Sequence, residues 1–158
     1  MLREDIRNSI RKYLTEQDDN ITYYEDIDED RVKIYAKLNN KNIGSISMEV
    51  LFDAYQYEFD DVFDEDSFYD IYPDDNIVKI EHIKVNDDYK NTGIGSELMR
   101  RGIGFMRKSG YNQFYLNASP MGFSGLNISD LVKFYKKFGF KVLLNQGHNV
   151  LMGLVFNE

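Results

Sequence analysis

The stretch Val85-Asn86-Asp87-Asp88-Tyr89-Lys90-Asn91-Thr92-Gly93-Ile94-Gly95-Ser96-Glu97-Leu98 narrows the folds open to this chain more than any other. The apolar run Ile77 to Val85 before it reads as a strand. Gly95 to about Lys108 reads as a helix with Ile94, Leu98, Phe105 and Met106 on its apolar face, stopped by Ser109-Gly110. A strand that runs through a glycine-bearing loop into a helix leaves several backbone N–H groups unpartnered, aimed at one spot with the helix dipole behind them. That arrangement suits a pyrophosphate. The plainer reading of Gly93-Ile94-Gly95 is a tight turn where φ is positive or backbones approach closely. Other phosphate loops fit worse, because a dinucleotide fingerprint wants a third glycine where Leu98 stands and no G-x-x-x-x-G-K-[ST] occurs. Arg100-Arg101-Gly102-Ile103-Gly104 has a similar look but falls inside the helix, where its glycines permit close packing.

Ahead of this unit, Leu2, Ile6, Ile10, Tyr13 and Leu14 recur at helical spacing, so an amphipathic helix is expected from Met1 to Gln17. Ile21 to Tyr24, Val32 to Leu38 and Ile43 to Leu51 read as strands, the last two joined by Asn39-Asn40-Lys41-Asn42 as an antiparallel hairpin. Residues 53–75 then alternate carboxylates with Tyr55, Tyr57, Phe59, Phe63, Phe68, Tyr69 and Tyr72. This segment is too aromatic for plain disorder, and its rings are expected to anchor a loop or short helix while its carboxylates face a cleft or water. After the glycine unit, Gln113 to Ala118 reads as a strand and Ser119 to Asn127 as a loop. Asp130 to Phe138 reads as a helix with Ser129 as N-cap and Gly139 as its stop. Phe140 to Leu144 and Val150 to Phe156 close the chain as two strands. The order describes a mixed α/β or α+β domain.

A chain of 158 residues fits one domain. With no cysteine it has no disulfide framework, thiolate zinc site or cysteine nucleophile, and a cytoplasmic location is the simplest expectation. The N-terminus lacks the apolar core of a secretion signal, and no window approaches a membrane span, so no membrane partner is expected. A net charge of −8 argues against nucleic acid as a partner and favours cationic ones.

Lys90-Asn91-Thr92-Gly93-Ile94-Gly95 is similar to the R/Q-x-x-G-x-G/A signature of the GNAT superfamily of acyl-coenzyme A N-acyltransferases, and Phe134-Tyr135-Lys136-Lys137-Phe138-Gly139-Phe140 resembles its second signature. The resemblance covers about Ile77 to Phe156 in motif order, spacing and context. It implies a mostly antiparallel central sheet flanked by helices, with strands splayed at the coenzyme A site. On this reading residues 1–158 form a single domain, with 53–75 an insert and 77–156 the part that binds acyl-coenzyme A.

The resemblance also implies roles. Ile83 and Val85 would offer backbone groups to the pantetheine arm, and Lys90, Asn91, Thr92, Gly93, Ile94, Gly95 and Ser96 would hold the pyrophosphate. Lys90 replaces the usual arginine or glutamine, keeping the charge but losing the planar fork. Asn117 and Asn127 would meet amide-like parts of the cofactor, or serve as loop or cap residues. Tyr135 would return a proton to the departing thiolate, although Leu131, Phe134, Tyr135 and Phe138 also form a core-facing helical stripe. An alkyl ammonium, with a pKa near ~10.4, is neutral only about once in 10³ molecules at pH 7, so a base is needed. Glu81 and His82 are the candidates, each with a plainer alternative: a solvent-facing strand residue and a half-buried imidazole. In a regular strand they point to opposite faces unless a bulge re-aims one.

The implied activity is transfer of acetyl from acetyl-coenzyme A, with no metal, to a primary amine: a small cationic amine, a peptide or protein lysine, or an N-terminus. The protein would act as a monomer or homodimer. A rival reading keeps the fold and binds a basic partner through the acidic surface without turnover. The family usually places two helices between its first two strands, and here the only strong helix precedes all strands. If residues 53–75 do not cover the cleft, the acceptor site is broad and open.

Overall fold

The computed structural model describes residues 20–120 and 127–157. The helix expected over Met1 to Gln17, and residues 121–126 of the loop expected after Ser119, lie outside these residues. Three strands, β1 (Ile21–Asp28), β2 (Arg31–Leu38) and β3 (Lys41–Leu51), form an antiparallel meander. The turn between β2 and β3 is narrower than the four-residue cluster: Asn39 and Asn40 alone make it, at φ 51° and 64°, a conformation asparagine tolerates. Between β1 and β2 the chain has room only for Glu29-Asp30, so no helix intervenes there.

The acidic aromatic segment follows β3 as a π-helical turn (Tyr55–Phe59) and a short helix α1 (Glu65–Ile71). Asp64 caps α1 by accepting the Ser67 N–H at 2.8 Å. Next come β4 (Ile77–Val85), a 3-10 turn (Asp87–Tyr89), α2 (Ile94–Lys108), β5 (Gln113–Ala118), α3 (Ile128–Lys136), β6 (Lys141–Asn145) and β7 (Val150–Val155). Helix α3 starts earlier than expected because Asn127, not Ser129, is its cap, accepting the Asp130 N–H at 2.8 Å. It ends at Lys136 in a tight turn that closes on Gly139, at φ 99°.

The strands make one seven-stranded sheet in the order β1-β2-β3-β4-β5-β7-β6, antiparallel throughout except for β4 and β5. That one parallel pair is the consequence of α2, which carries the chain back so that β5 starts from the same end as β4. Alternation along β5 shows how the faces divide. Phe114, Leu116 and Ala118 join the core beneath α2 and α3, with Ile46, Met48, Ile80, Leu98, Leu131 and Tyr135. Tyr115 enters a second core under the insert, with Phe59, Phe68, Tyr72, Ile77 and Leu151. Within α2, Gly102 lets the helix lie close on β3, since a Cβ there would stand 3.0 Å from Ile46 Cδ1 and 3.1 Å from Met48 Sδ. No helix among the described residues is long and apolar enough to cross a membrane.

Tyr72 pins the insert to the sheet. Its phenol crosses β7 at Gly153 and donates to the Phe114 carbonyl at 2.8 Å, in a fully buried position. A Cβ on residue 153 would stand 2.3 Å from that oxygen, so only glycine leaves the path open. We predict that Gly153→Ala breaks this hydrogen bond and lowers stability by at least ~1–3 kcal/mol, the cost of orphaning a buried polar group. Urea denaturation of both forms checks this, and an unchanged midpoint would refute it.

Candidate functional site

Strands β4 and β5 pair only at Val78↔Phe114 and Lys79↔Tyr115. Beyond those residues each keeps its antiparallel partner on the outer side, β3 and β7, and a gap opens between them. The Asn86 N–H bonds the Ile43 carbonyl at 2.9 Å, which sets the phase of the ladder between β3 and β4. Lys84 and Asn86 therefore turn their backbone groups toward β3, while those of Ile83 and Val85 turn away from it, toward the gap.

The loop after β4 sits at the open end of this gap. Gly93 occupies the N-cap of α2 at φ 90°, ψ −2°, and brings no side chain to cap it. The helix ladder starts with the Glu97 N–H on the Gly93 carbonyl at 3.0 Å, so the amides of Ile94, Gly95 and Ser96 point out of the helix end. A Cβ on Gly93 would meet nothing within 4 Å among the described residues, so the glycine is there for its positive φ rather than for want of room. Asn91 is also left-handed, at φ 63°, and Thr92 Oγ1 donates to the Tyr89 carbonyl; together they curl the loop. Lys90 binds Asp87 at 2.9 Å, which ties its ammonium into the loop.

The two sequence motifs meet here. A Cβ on Gly95 would lie 3.8 Å from the Phe134 ring and 3.7 Å from Val85 Cγ2, so α3 packs against the first turn of α2 beside the end of β4. The next residue, Tyr135, is buried in the core of that same face, its ring 6.2 Å from Phe140. Burial pushes its phenol up to about 12, so it holds its proton throughout the neutral range.

Glu81 and His82 lie on the other face. Ser47 pairs with His82 and Met48 with Ile80, so Glu81 is an extra residue, a β-bulge. Ile80 and Ile83 both reach the core under α2, and Glu81 and His82 between them fall together on the side of Ser47. The Glu81 carboxylate accepts from Ser47 Oγ at 3.4 Å and from Arg31 at 3.3 Å. His82 Nδ1 is buried and has no hydrogen-bond partner among the described residues.

Sequence reasoning missed Glu58 and Tyr115. Tyr115 closes the fork from the insert side and donates a hydrogen bond to Glu58 Oε1, which also binds Lys79 at 3.3 Å. Burial, then this hydrogen bond, pushes the Tyr115 phenol far up, so it stays protonated and can keep donating to Glu58. Asn117, two residues on, is exposed on the same face. Asn127 has its side-chain oxygen committed to the α3 cap, leaving only its amide NH₂ for another contact.

The outward amides of the loop and the outward backbone groups of β4 thus border the gap, with Tyr135 buried in the core on one face of the sheet and Glu81 and His82 on the other.

A sequence model of the Acetyltransferase (GNAT) family matches residues 3–140. A search of curated proteins finds no match. Among solved structures, the chain resembles the PaiA N-acetyltransferase of Thermoplasma acidophilum in complex with coenzyme A, at TM-score 0.57 and 18% identity, over 80% of this chain and 62% of that one. It also resembles a GNAT family acetyltransferase of Elizabethkingia anophelis with acetyl-CoA bound, at TM-score 0.57 and 16% identity, over 87% and 99%. The ribosomal-protein-S18-alanine N-acetyltransferase of Escherichia coli aligns at TM-score 0.58 and 15% identity, over 84% and 73%. The chain thus spans a little under two thirds of the Thermoplasma protein. At these identities the likeness is one of fold.

The Tyr135 phenol yields a prediction about stability. Above pH 10 an unfolded tyrosine gives up its proton while the folded one keeps it to about pH 12, so stability falls as pH rises through that window. Tyr135→Phe lacks this loss. Between pH 8 and pH 11 the wild type should lose about 1.4 kcal/mol relative to the variant. Paired denaturation curves at the two pH values measure it, and a constant difference would contradict the burial argument.

Proposed function

The chain belongs to the acetyltransferase (GNAT) family, and on that premise we propose that it moves acetyl from acetyl-coenzyme A to a primary amine by direct attack in a ternary complex. The observation that carries this reading is the gap, which joins the two faces of the sheet and has the open amide loop at its mouth. Acetyl-coenzyme A supplies an activated acetyl group on a good leaving thiolate. The amides of Ile94, Gly95 and Ser96, with the α2 dipole, hold its pyrophosphate. Lys90, Asn91 and Thr92 shape the loop around them, and Lys90 works mainly through its bond to Asp87. Backbone groups of Ile83 and Val85 align the pantetheine arm and the thioester. Asn117, exposed on the face of Tyr115, would serve the acceptor side, and the amide NH₂ of Asn127 would serve the cofactor.

In the transfer an N–C bond forms and the C–S bond breaks. The amine's proton passes to Glu81 or His82, and the thiolate takes one from Tyr135. The phenol's raised pKa suits an acid that must arrive protonated. Glu81 shares its carboxylate with Arg31, whereas His82 keeps one ring nitrogen uncommitted, so the two differ in what else claims them. The acidic surface of the insert and the net charge of −8 support a cationic acceptor: a small amine, a lysine side chain or an N-terminus. The names of the structural relatives include an alanine N-acetyltransferase, which supports an amine acceptor of one of these kinds.

Thiol release from acetyl-coenzyme A with a panel of amines and peptides tests the reading. Tight coenzyme A binding without release from any of them would support the non-catalytic alternative instead. Tyr135→Phe should lower kcat by roughly 10²–10⁴-fold with little change in coenzyme A affinity; unchanged turnover would remove the role. In pH profiles of kcat/KM for Glu81→Gln and His82→Ala, only loss of the true base should abolish the acidic limb.

A further inference from the structure

On the face of Glu81 and His82, β4 carries one more ionisable side chain beyond the fork, Lys84. The register puts it there. Ile46 pairs with Ile83 and both enter the core under α2, so Ser45 and its partner Lys84 fall on the opposite face with Ser47 and His82. Lys84 stands two residues beyond His82, about 7 Å along the strand toward the mouth of the gap. Its neighbours Ile83 and Val85 turn their backbone groups into the gap, while its own turn toward β3, so it can reach the site only with its side chain. Of the three lysines between the start of β4 and the α2 cap, Lys79 binds Glu58 at 3.3 Å and Lys90 binds Asp87 at 2.9 Å. Lys84 is exposed and makes no hydrogen bond or ion pair among the described residues. An ammonium with no other claim on it therefore stands beside the gap, on the side of the two candidate bases.

We propose that Lys84 is a site of self-acetylation: with acetyl-coenzyme A in the gap and no acceptor present, its Nζ takes the acetyl group. The proposal rests on the acetyl-transfer reading, which lays the thioester beside Ile83 and Val85, and it adds a modification site to that reading. Strands lie ~4.8 Å apart, and the long, flexible stem of a lysine can fold across one such spacing. Nζ attacks the thioester carbonyl, an N–C bond forms and the C–S bond breaks. The ammonium proton passes to Glu81 or His82 on the same face, and the thiolate takes one from Tyr135. Tethering is what singles out Lys84, because an amine held beside the thioester reacts without first having to meet it. Lys33 is the internal comparison. It is exposed on the same face, paired with Ser47, but β2 lies two strand spacings from β4, so it starts ~10 Å farther from the gap. The amide formed on Lys84 is neutral, so the mark takes one positive charge off the face where a cationic acceptor arrives.

Incubating the purified chain with acetyl-coenzyme A alone, and following each lysine by peptide mass spectrometry, tests this. The Lys84 peptide should gain an acetyl group about tenfold faster than the Lys33 peptide or more, at a rate independent of protein concentration. Excess coenzyme A should suppress the Lys84 label and leave the slow Lys33 label unchanged. Equal labelling of the two lysines, a Lys84 rate that rises with protein concentration, or a Lys84 label indifferent to coenzyme A would each overturn the assignment. So would a Lys84 free of acetyl both before and after incubation. A chain that turns over external amines while Lys84 stays bare loses this proposal alone. A chain that binds no acetyl-coenzyme A loses the acetyl-transfer reading along with it.

Discussion

Two residue pairs hold β4 to β5, and the shortness of that seam governs the site. Had the parallel ladder continued to Val85, the backbone groups of Ile83 and Val85 would be spent on β5 and the two faces of the sheet would be sealed from each other. The strands can part at small cost because each keeps an antiparallel partner on its outer side, eight register pairs between β3 and β4 and six between β5 and β7. Below the fork, Glu58 clasps Lys79 and Tyr115, the last residues to pair, and so holds the point of divergence in place.

The insert is bound to the sheet by aromatic contact more than by charge. Phe59 meets Tyr115 edge to face at 4.7 Å, and Phe68 and Tyr72 pack on Phe59 in tilted contacts at 5.3 and 6.0 Å. Each ring so buried contributes about 1.5–3 kcal/mol, enough to hold a segment with many exposed carboxylates on the fold. Several of those carboxylates are structural: Asp64 caps α1, Asp75 accepts from Tyr69 at 2.5 Å, and Glu58 ties the fork. The insert thus covers the face of the sheet at Ile77, Tyr115 and Leu151.

Much of this was legible in the sequence because it depends on local pattern. Ile77–Val85 and Gln113–Ala118 stand as strands at the residues where apolar runs begin and end, and α2 stops at Ser109-Gly110. The hinge of the loop, Gly93, follows from the need for positive φ at that helix cap. The α3 cap was misplaced because asparagine and serine two residues apart are equally good caps, and the apolar stripe fits either start. The common facing of Glu81 and His82 was a weaker signal. Apolar residues at Val78, Ile80 and Ile83 break the two-residue period once, and a bulge is what restores it. Glu58 escaped notice for a different reason: only tertiary structure brings a π-helical turn to the last residues that pair β4 with β5.

The extra residue in β4 has a consequence for how such a chain can change over time. Position by position, the strand can accept many replacements, since each side chain answers to its own surroundings. Its length is another matter. Removing one residue anywhere between Ile80 and Ile83 would slide the downstream half into ordinary alternation, rotating an ionisable group toward the hydrocarbon beneath α2, or else changing which peptide groups look across to β5. Point substitutions can therefore vary the ionisable groups of this face one at a time, while insertions and deletions in β4 would dismantle their common facing.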